Sequence, residues 1–232
     1  MDLTLIISGI AILMFLLGTP VLLVISGWVI GTSYFVVEFP LINVGVTSSE
    51  AVLIYVFLAV PLFVATGDLL TAGGISQKLV KFAQSTVPFL PGATAATTMV
   101  SCGLFSAVSG SNAATAATMG RLLGPELEKK GVDKGLSAAL VAAGGTVGVI
   151  IPPSVMFLIY GVTVDVSSVD LFVGGIIPGI LMVLVLVSTA VFLTRRKEPT
   201  QGLKALKFDQ IIKNASNAWL GFIAIGIILF GI

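Results

Sequence analysis

Long apolar stretches cut by glycine and proline rather than by charge set the pattern of this chain. Leu3 to about Val37 is apolar but interrupted at Gly18-Thr19-Pro20 and again at Gly27 and Gly31, which predicts one long bent helix or a span with a broken half. Glu38 to Glu50 reads as an outward-facing loop, since it holds acids and no base. Ala51 to about Ala72 is the next span, kinked at Pro61, with Asp68 near its far end, read as a solvated carboxylate or a helix-end hydrogen-bonding group rather than a buried functional acid. Ile75, Leu79 and Phe82 then recur at helical spacing while Gln77, Lys78, Lys81 and Gln84 fall elsewhere on the wheel, predicting an amphipathic helix over 75–87 in the membrane plane.

After Pro88 and Pro91 comes a small-residue stretch, GATAATTMVSCGLFSAVSGSNAATAATMG, inside an uncharged run from Phe82 to Gly120. Arms of about 15 residues either side of Gly110 would reach about 20 Å, short of a hydrocarbon core of about 30 Å. Arg121 to Lys134 is mixed-charge and basic. Gly135 to Tyr160 is uncharged and broken by Gly144-Gly145, Gly148 and Pro152-Pro153, which predicts two half-helices joined by unwound backbone. A second acidic outer loop, Gly161 to Asp170, leads to a span over Leu171–Thr194, the basic cluster Arg195-Arg196-Lys197, a polar stretch with Lys204, Lys207 and Lys213, and a last apolar run from Ala218 to Ile232.

Composition fixes the class. The 232 residues are 56% hydrophobic and 10% charged, against about 25% charged in a soluble domain. This is the composition of an integral membrane protein surrounded by lipid. All 12 Lys and Arg residues fall on one side only if residues 94–129 enter the bilayer and turn back; a single crossing would strand Lys78 and Lys81 opposite the rest. Irregular backbone survives at membrane depth only where protein buries it or a hydrated cavity receives it, so a re-entrant hairpin points to a binding site. Histidine is absent, which excludes Ser-His hydrolysis and His-ligated zinc, and the net charge of +1 implies no nucleic-acid partner. The single cysteine, Cys102, reads as a packing residue.

Two constellations could carry chemistry. The first is Ser106-Ala107-Val108-Ser109-Gly110-Ser111-Asn112, where hydroxyls, a carboxamide and free carbonyls offer neutral oxygens to a hard cation while the next helix start offers N–H groups to an anion. The competing account is close packing of two arms through small residues. The second is GGTVGVIIPPS, Gly144 to Ser154, where glycines and prolines free carbonyls that a sodium ion could take as ligands, or merely kink a helix. Thr115, Thr118 and Ser137 are expected to make helix-to-helix hydrogen bonds.

The motifs PLFVATGDLL, SAVSGSNAATAATMG, GVIIPPSVMFLIYG and GGIIPGI, in this order along the chain, resemble the large membrane subunit of tripartite ATP-independent periplasmic (TRAP) transporters, and the resemblance covers essentially the whole chain. The family pattern commonly has Gly-Pro before IIPPS where this chain has Gly148-Val149. The resemblance implies sodium-driven import of an organic acid such as a C4-dicarboxylate or sialic acid, with no enzymatic step, no catalytic residue and no cofactor besides the coupling ion. By the same resemblance Ser106, Ser109, Asn112, Gly145, Thr146, Gly148 and Ile151 hold sodium, the sole metal implied, and Ser109, Ser111, Asn112 and Ser154 face substrate.

The implied fold is an all-α integral membrane protein with one re-entrant hairpin and one broken helix, half of an inverted-repeat, elevator-type transporter. Residues 1–73 would be scaffold helices, 74–91 an interfacial helix, 92–168 half of a transport domain with the hairpin over about 94–129 and the broken helix over about 135–160, and 169–232 further membrane helices with a cytoplasmic linker. Family members are about twice as long, so the chain is expected to be the first half of a split subunit or a fragment. Implied partners are a small four-helix membrane subunit, a periplasmic substrate-binding protein, the C-terminal half of the large subunit and lipid, at a multi-pass location in a bacterial inner membrane. The alternatives are another sodium-coupled anion carrier, a non-transporting membrane scaffold, and an intramembrane hydrolase using Ser109 or Ser111, which lacks a base.

Overall fold

A computed structural model describes residues 3–53, 55–196 and 208–231, and among these every regular element is helical. Lys197, Lys204, Lys207 and Ile232 lie outside the described residues. The chain divides into two compact units, Met1–Leu58 and Ala59–Ile232.

In the first unit, α1 (Leu3–Leu16) and α2 (Val21–Phe35) are separated at Gly18-Thr19-Pro20, so the apolar stretch is broken rather than bent. Gly18 takes a left-handed φ of 80°, a conformation open to glycine without steric cost. The two helices pack side by side, with the Trp28 Nε1–H donating to Ser8 Oγ at 3.1 Å. The expected loop over Glu38–Glu50 is corrected: α3 occupies Leu41–Leu53 directly after Pro40. Proline just ahead of a helix removes no hydrogen bond there, and no proline falls within the segment that follows.

In the second unit the helix α4 (Tyr55–Ala72), which begins just ahead of the boundary, carries Pro61 within it. At Gly74, φ 78°, the chain turns by 71° into α5 (Ile75–Thr86). The apolar face of α5 is covered by protein: Ile75, Leu79 and Val80 join a buried cluster with Cys102, Phe105, Met119 and Leu123. Those partners come from α6 (Ala93–Ser109) and α7 (Asn112–Lys129), the two arms around Gly110.

The rest of the unit stacks on these arms. Helix α8 (Lys134–Gly145) is capped by Asp133, whose carboxylate accepts from the N–H groups of Gly135 and Leu136 at 2.9 and 3.3 Å. It runs antiparallel to α7, because Cβ atoms placed on Gly120, Gly145 and Gly148 would meet Val141, Ala116 and Asn112 respectively. A short 3-10 turn over Thr146–Val149 continues α8, and after Pro152-Pro153 the chain resumes as α9 (Val155–Val164). The break expected between Gly144 and Pro153 is therefore present. The expected loop over Gly161–Asp170 shrinks to three residues before α10 (Ser168–Thr194), which starts at a Ser167 cap accepting from the Asp170 N–H at 3.5 Å. Helices α11 (Phe208–Asn217) and α12 (Trp219–Gly231) follow.

Among the described residues one helix, α10 with 27 residues, is long and apolar enough to cross a membrane, or two elements if the bent pair α4–α5 counts as one span. It lies antiparallel to α6, since Gly92 seats against Thr194 and Gly103 against Val183. At the end away from Gly110, Gln84 Nε2 donates to both Glu126 carboxylate oxygens at 3.3 and 3.4 Å, and Asn214 Nδ2 donates to the Lys81 carbonyl at 3.3 Å. These contacts gather Lys81, Lys129, Lys130, Arg195, Arg196 and Lys213 at one end of the unit.

Candidate functional site

At the other end lies the turn between the arms. Gly110, φ 56°, donates its N–H to the Ser106 carbonyl at 2.8 Å and closes α6. Ser111 is extended and caps α7: its Oγ accepts from the Ala114 N–H at 3.4 Å, and its carbonyl from the Thr115 N–H at 3.0 Å. The turn has no room for a side chain, because a Cβ on Gly110 would run into the Phe63 ring of α4 and lie 3.0 Å from the Pro153 carbonyl. The Gly110 carbonyl accepts from the Val155 N–H at 3.4 Å. Hairpin turn, helix break and α4 thus meet at one point.

Behind the turn the arms are joined by hydroxyls. Ser109 Oγ and Thr115 Oγ1 are hydrogen-bonded at 2.9 Å, and Ser106 Oγ lies 3.4 Å from the same Thr115 oxygen. Thr115 therefore makes the arm-to-arm bond expected of it, and in doing so it becomes part of the tip. Ser137, expected to bond between helices, does not: its Oγ is buried in α8 with no partner among the described residues.

Asn112 is the residue that changes the chemistry. Its carboxamide Oδ1 is shielded from solvent and finds no hydrogen-bond donor among the described residues. A Cβ on Gly148 would lie 2.9 Å from this oxygen and from the Asn112 N, so the bare backbone of the break touches the first residue of α7. A buried acceptor left without a donor costs about 1–3 kcal/mol. Ser154, at the start of α9 and fully buried, also has an unpartnered Oγ.

The expected site residues divide accordingly. Ser106, Ser109, Ser111 and Asn112 share the tip, Gly145 and Gly148 press their backbone on Asn112 and Ala116, and Ser154 follows the Pro153 that seats on Gly110. The Thr146 side chain faces away, exposed, with its hydroxyl donating to the Ala143 carbonyl at 2.6 Å. The Ile151 side chain turns to α10 and α6, where it meets Gly179 and Gly103. Sequence reasoning left out Phe63 and Gly67: a Cβ on Gly67 would lie 3.4 Å from the Ser109 Cα, so PLFVATGDLL docks on the hairpin tip. That motif was visible, but nothing in its local pattern says what it touches.

Beside the tip, α4 and α7 enclose a cleft of about 300 Å³. Val64, Gly67, Asp68 and Thr71 form one wall; Ser111, Ala114, Thr118 and Arg121 form the other, with Ser109 at the tip end.

Residues 8–232 match the family described as "Tripartite ATP-independent periplasmic transporter, DctM component". The isethionate TRAP transporter permease protein DctMQ of Oleidesulfovibrio alaskensis is 41% identical over 140 residues, 60% of this chain and 22% of that protein. The C4-dicarboxylate TRAP transporter large permease protein DctM of Vibrio cholerae is 33% identical over 183 residues, 77% of this chain and 39% of that protein. The sialic acid TRAP transporter large permease protein SiaM of Vibrio cholerae is 33% identical over 178 residues, 77% of this chain and 42% of that protein. The chain spans less than half the length of each.

Proposed function

Because the chain belongs to the DctM component family of tripartite ATP-independent periplasmic transporters, we propose that it forms part of the sodium and substrate path of an organic-acid importer. In this reading sodium is cargo held at the hairpin tip, where Ser109 and Asn112 from α6–α7 offer it neutral oxygens and the side-chain-free backbone at Gly145 and Gly148 comes up against Asn112. The observation that carries the reading is the buried, donorless Oδ1 of Asn112 set against the broken helix. An acceptor-only oxygen in a shielded place is satisfied by a cation. The acid would sit next to it, over Ser109, Ser111 and Ser154. Names of relatives give the range of candidates: C4-dicarboxylates, sialic acid, isethionate.

The hairpin enters the inner membrane from the cytoplasmic side and turns back at Gly110, so that the basic residues stay on one face. Alternating access then moves α6–α9 as an elevator against the remaining helices. The small four-helix subunit, the binding protein and the missing part of the large subunit complete the machine, which this chain alone does not. Two measurements test this. Single cysteines at Gln77 and Gly131, in a Cys102→Ala background, should both be shielded from an impermeant reagent applied outside; labelling of only one contradicts the hairpin. Proteoliposomes holding this chain, the remaining half and the small subunit should take up organic acid only with sodium and binding protein present, and robust uptake by the 232-residue chain alone would defeat the tripartite reading.

A further inference from the structure

The cleft between α4 and α7 carries a feature that sodium binding does not use. Arg121 lies ten residues along α7 from Ser111, about 15 Å at the helical rise, and lines the same cleft. Its Nε–H donates to the Ala117 carbonyl one turn back at 3.2 Å, which holds the guanidinium along its own helix. Among the described residues no ion pair engages its terminal nitrogens, although Asp68 lines the cleft too.

We propose that Arg121 anchors the acid head group of the transported anion in this cleft, a specificity-determining contact between the hairpin tip and the charged end of the unit. The inference rests on the transport reading above. A guanidinium presents a planar fork of donors suited to a carboxylate or sulfonate, and charge-assisted bonds of this kind are the strong ones. The volume of about 300 Å³ suits a small organic acid. The hydroxyls of Ser109, Ser111, Thr71 and Thr118 along the cleft offer neutral bonds to the rest of such a molecule. Asp68 opposes an anion there, so the site holds the acid loosely enough to let it leave.

The test uses the purified subunit at fixed sodium concentration, with succinate and isethionate titrated separately and the melting temperature as readout. In the wild type each acid should raise the melting temperature saturably. Arg121→Gln should raise the half-saturating concentration by about tenfold or more and Arg121→Lys by less, because an ammonium keeps the charge but not the fork. Asp68→Asn should lower it. In all three the shift produced by sodium without acid should stay as in the wild type, which separates lost anion binding from lost folding. Unchanged acid affinity in Arg121→Gln, weaker binding in Asp68→Asn, or a wild type that answers to sodium but to neither acid would each overturn the assignment of Arg121 and leave sodium binding standing. A wild type indifferent to sodium as well would overturn the transport reading and this one together.

Discussion

The same two helices are built differently at their two ends. Away from the turn, the start of α6 and the end of α7 pack through Ala95, Met99 and Leu127 against Val132, Leu140 and Ala190, an apolar cluster capped by the exposed Gln84–Glu126 contact. At the turn they meet through Ser106, Ser109 and Thr115, and the next element approaches through a bare glycine. Leucine and methionine take part in the contact a few turns away, where Thr97, Thr98 and Ser101 of α6 are buried as well. Unpartnered hydroxyls also occur elsewhere, at Ser76, Ser101 and Ser137. A serine hydroxyl can rotate and donate to a carbonyl of its own helix, whereas the Asn112 oxygen only accepts. In the sodium reading proposed above, that distinction marks Asn112 out from the serines.

The largest effect is expected from breaking the close approach at one end only. Gly148→Ala would place a methyl 2.9 Å from Asn112 N and from the Ser111 carbonyl carbon, both backbone, so the tip must shift, at a cost of about 1–3 kcal/mol. The response of the melting temperature to sodium should disappear with it. Gly124→Ala, on α7 at the apolar end, meets nothing within 4 Å and should be neutral or stabilising by up to about 1 kcal/mol. Equal losses in the two variants would erase the contrast.

Next in size is a change of sign with conditions. Asn112→Ala removes a buried acceptor that lacks a donor, so in sodium-free choline buffer the variant should melt no lower than the wild type. In sodium it should lose the stabilisation that binding confers. A uniform drop in both buffers, followed by thermal unfolding, would assign Asn112 to packing.

The smallest concerns the hydroxyl bridge. Ser109→Ala and Thr115→Val should each cost about 1 kcal/mol, and the double variant less than their sum, because the two oxygens bond each other at 2.9 Å. Additive losses in a double-mutant cycle would mean that the pair contributes no coupling.

These residues also mark how far the sequence could be read. The turn at Gly110 and the break between Gly144 and Pro153 were legible, because glycine and proline act on the local backbone wherever the rest of the chain lies. The placement of Thr115 in the tip was half legible: its bond between arms follows from its register on α7, its closeness to Ser109 from the tightness of the turn. The docking of Phe63 and Gly67 on the turn, and of Gly175 and Gly179 of α10 on Ile150 and Ile151, was not. Such approaches depend on which distant backbone arrives, and small residues permit them without specifying the partner. The helix over Leu41–Leu53 is not legible from the acidic bias of Glu38–Glu50, because charge reports sidedness and not backbone conformation.

The ring of Phe63, seated on Gly110 and 8% exposed, links the tip to α4 in a further way. Any rearrangement that draws the tip from α4 must uncover this side chain, at about 1.5–3 kcal/mol if water enters. With no ligand bound, that term alone would hold the separated state to roughly one molecule in ten to one in a hundred and fifty. A bound ion or acid would then act as a bias on a pre-existing equilibrium, and trimming Phe63 to alanine would move the resting population toward separation before any ligand arrives.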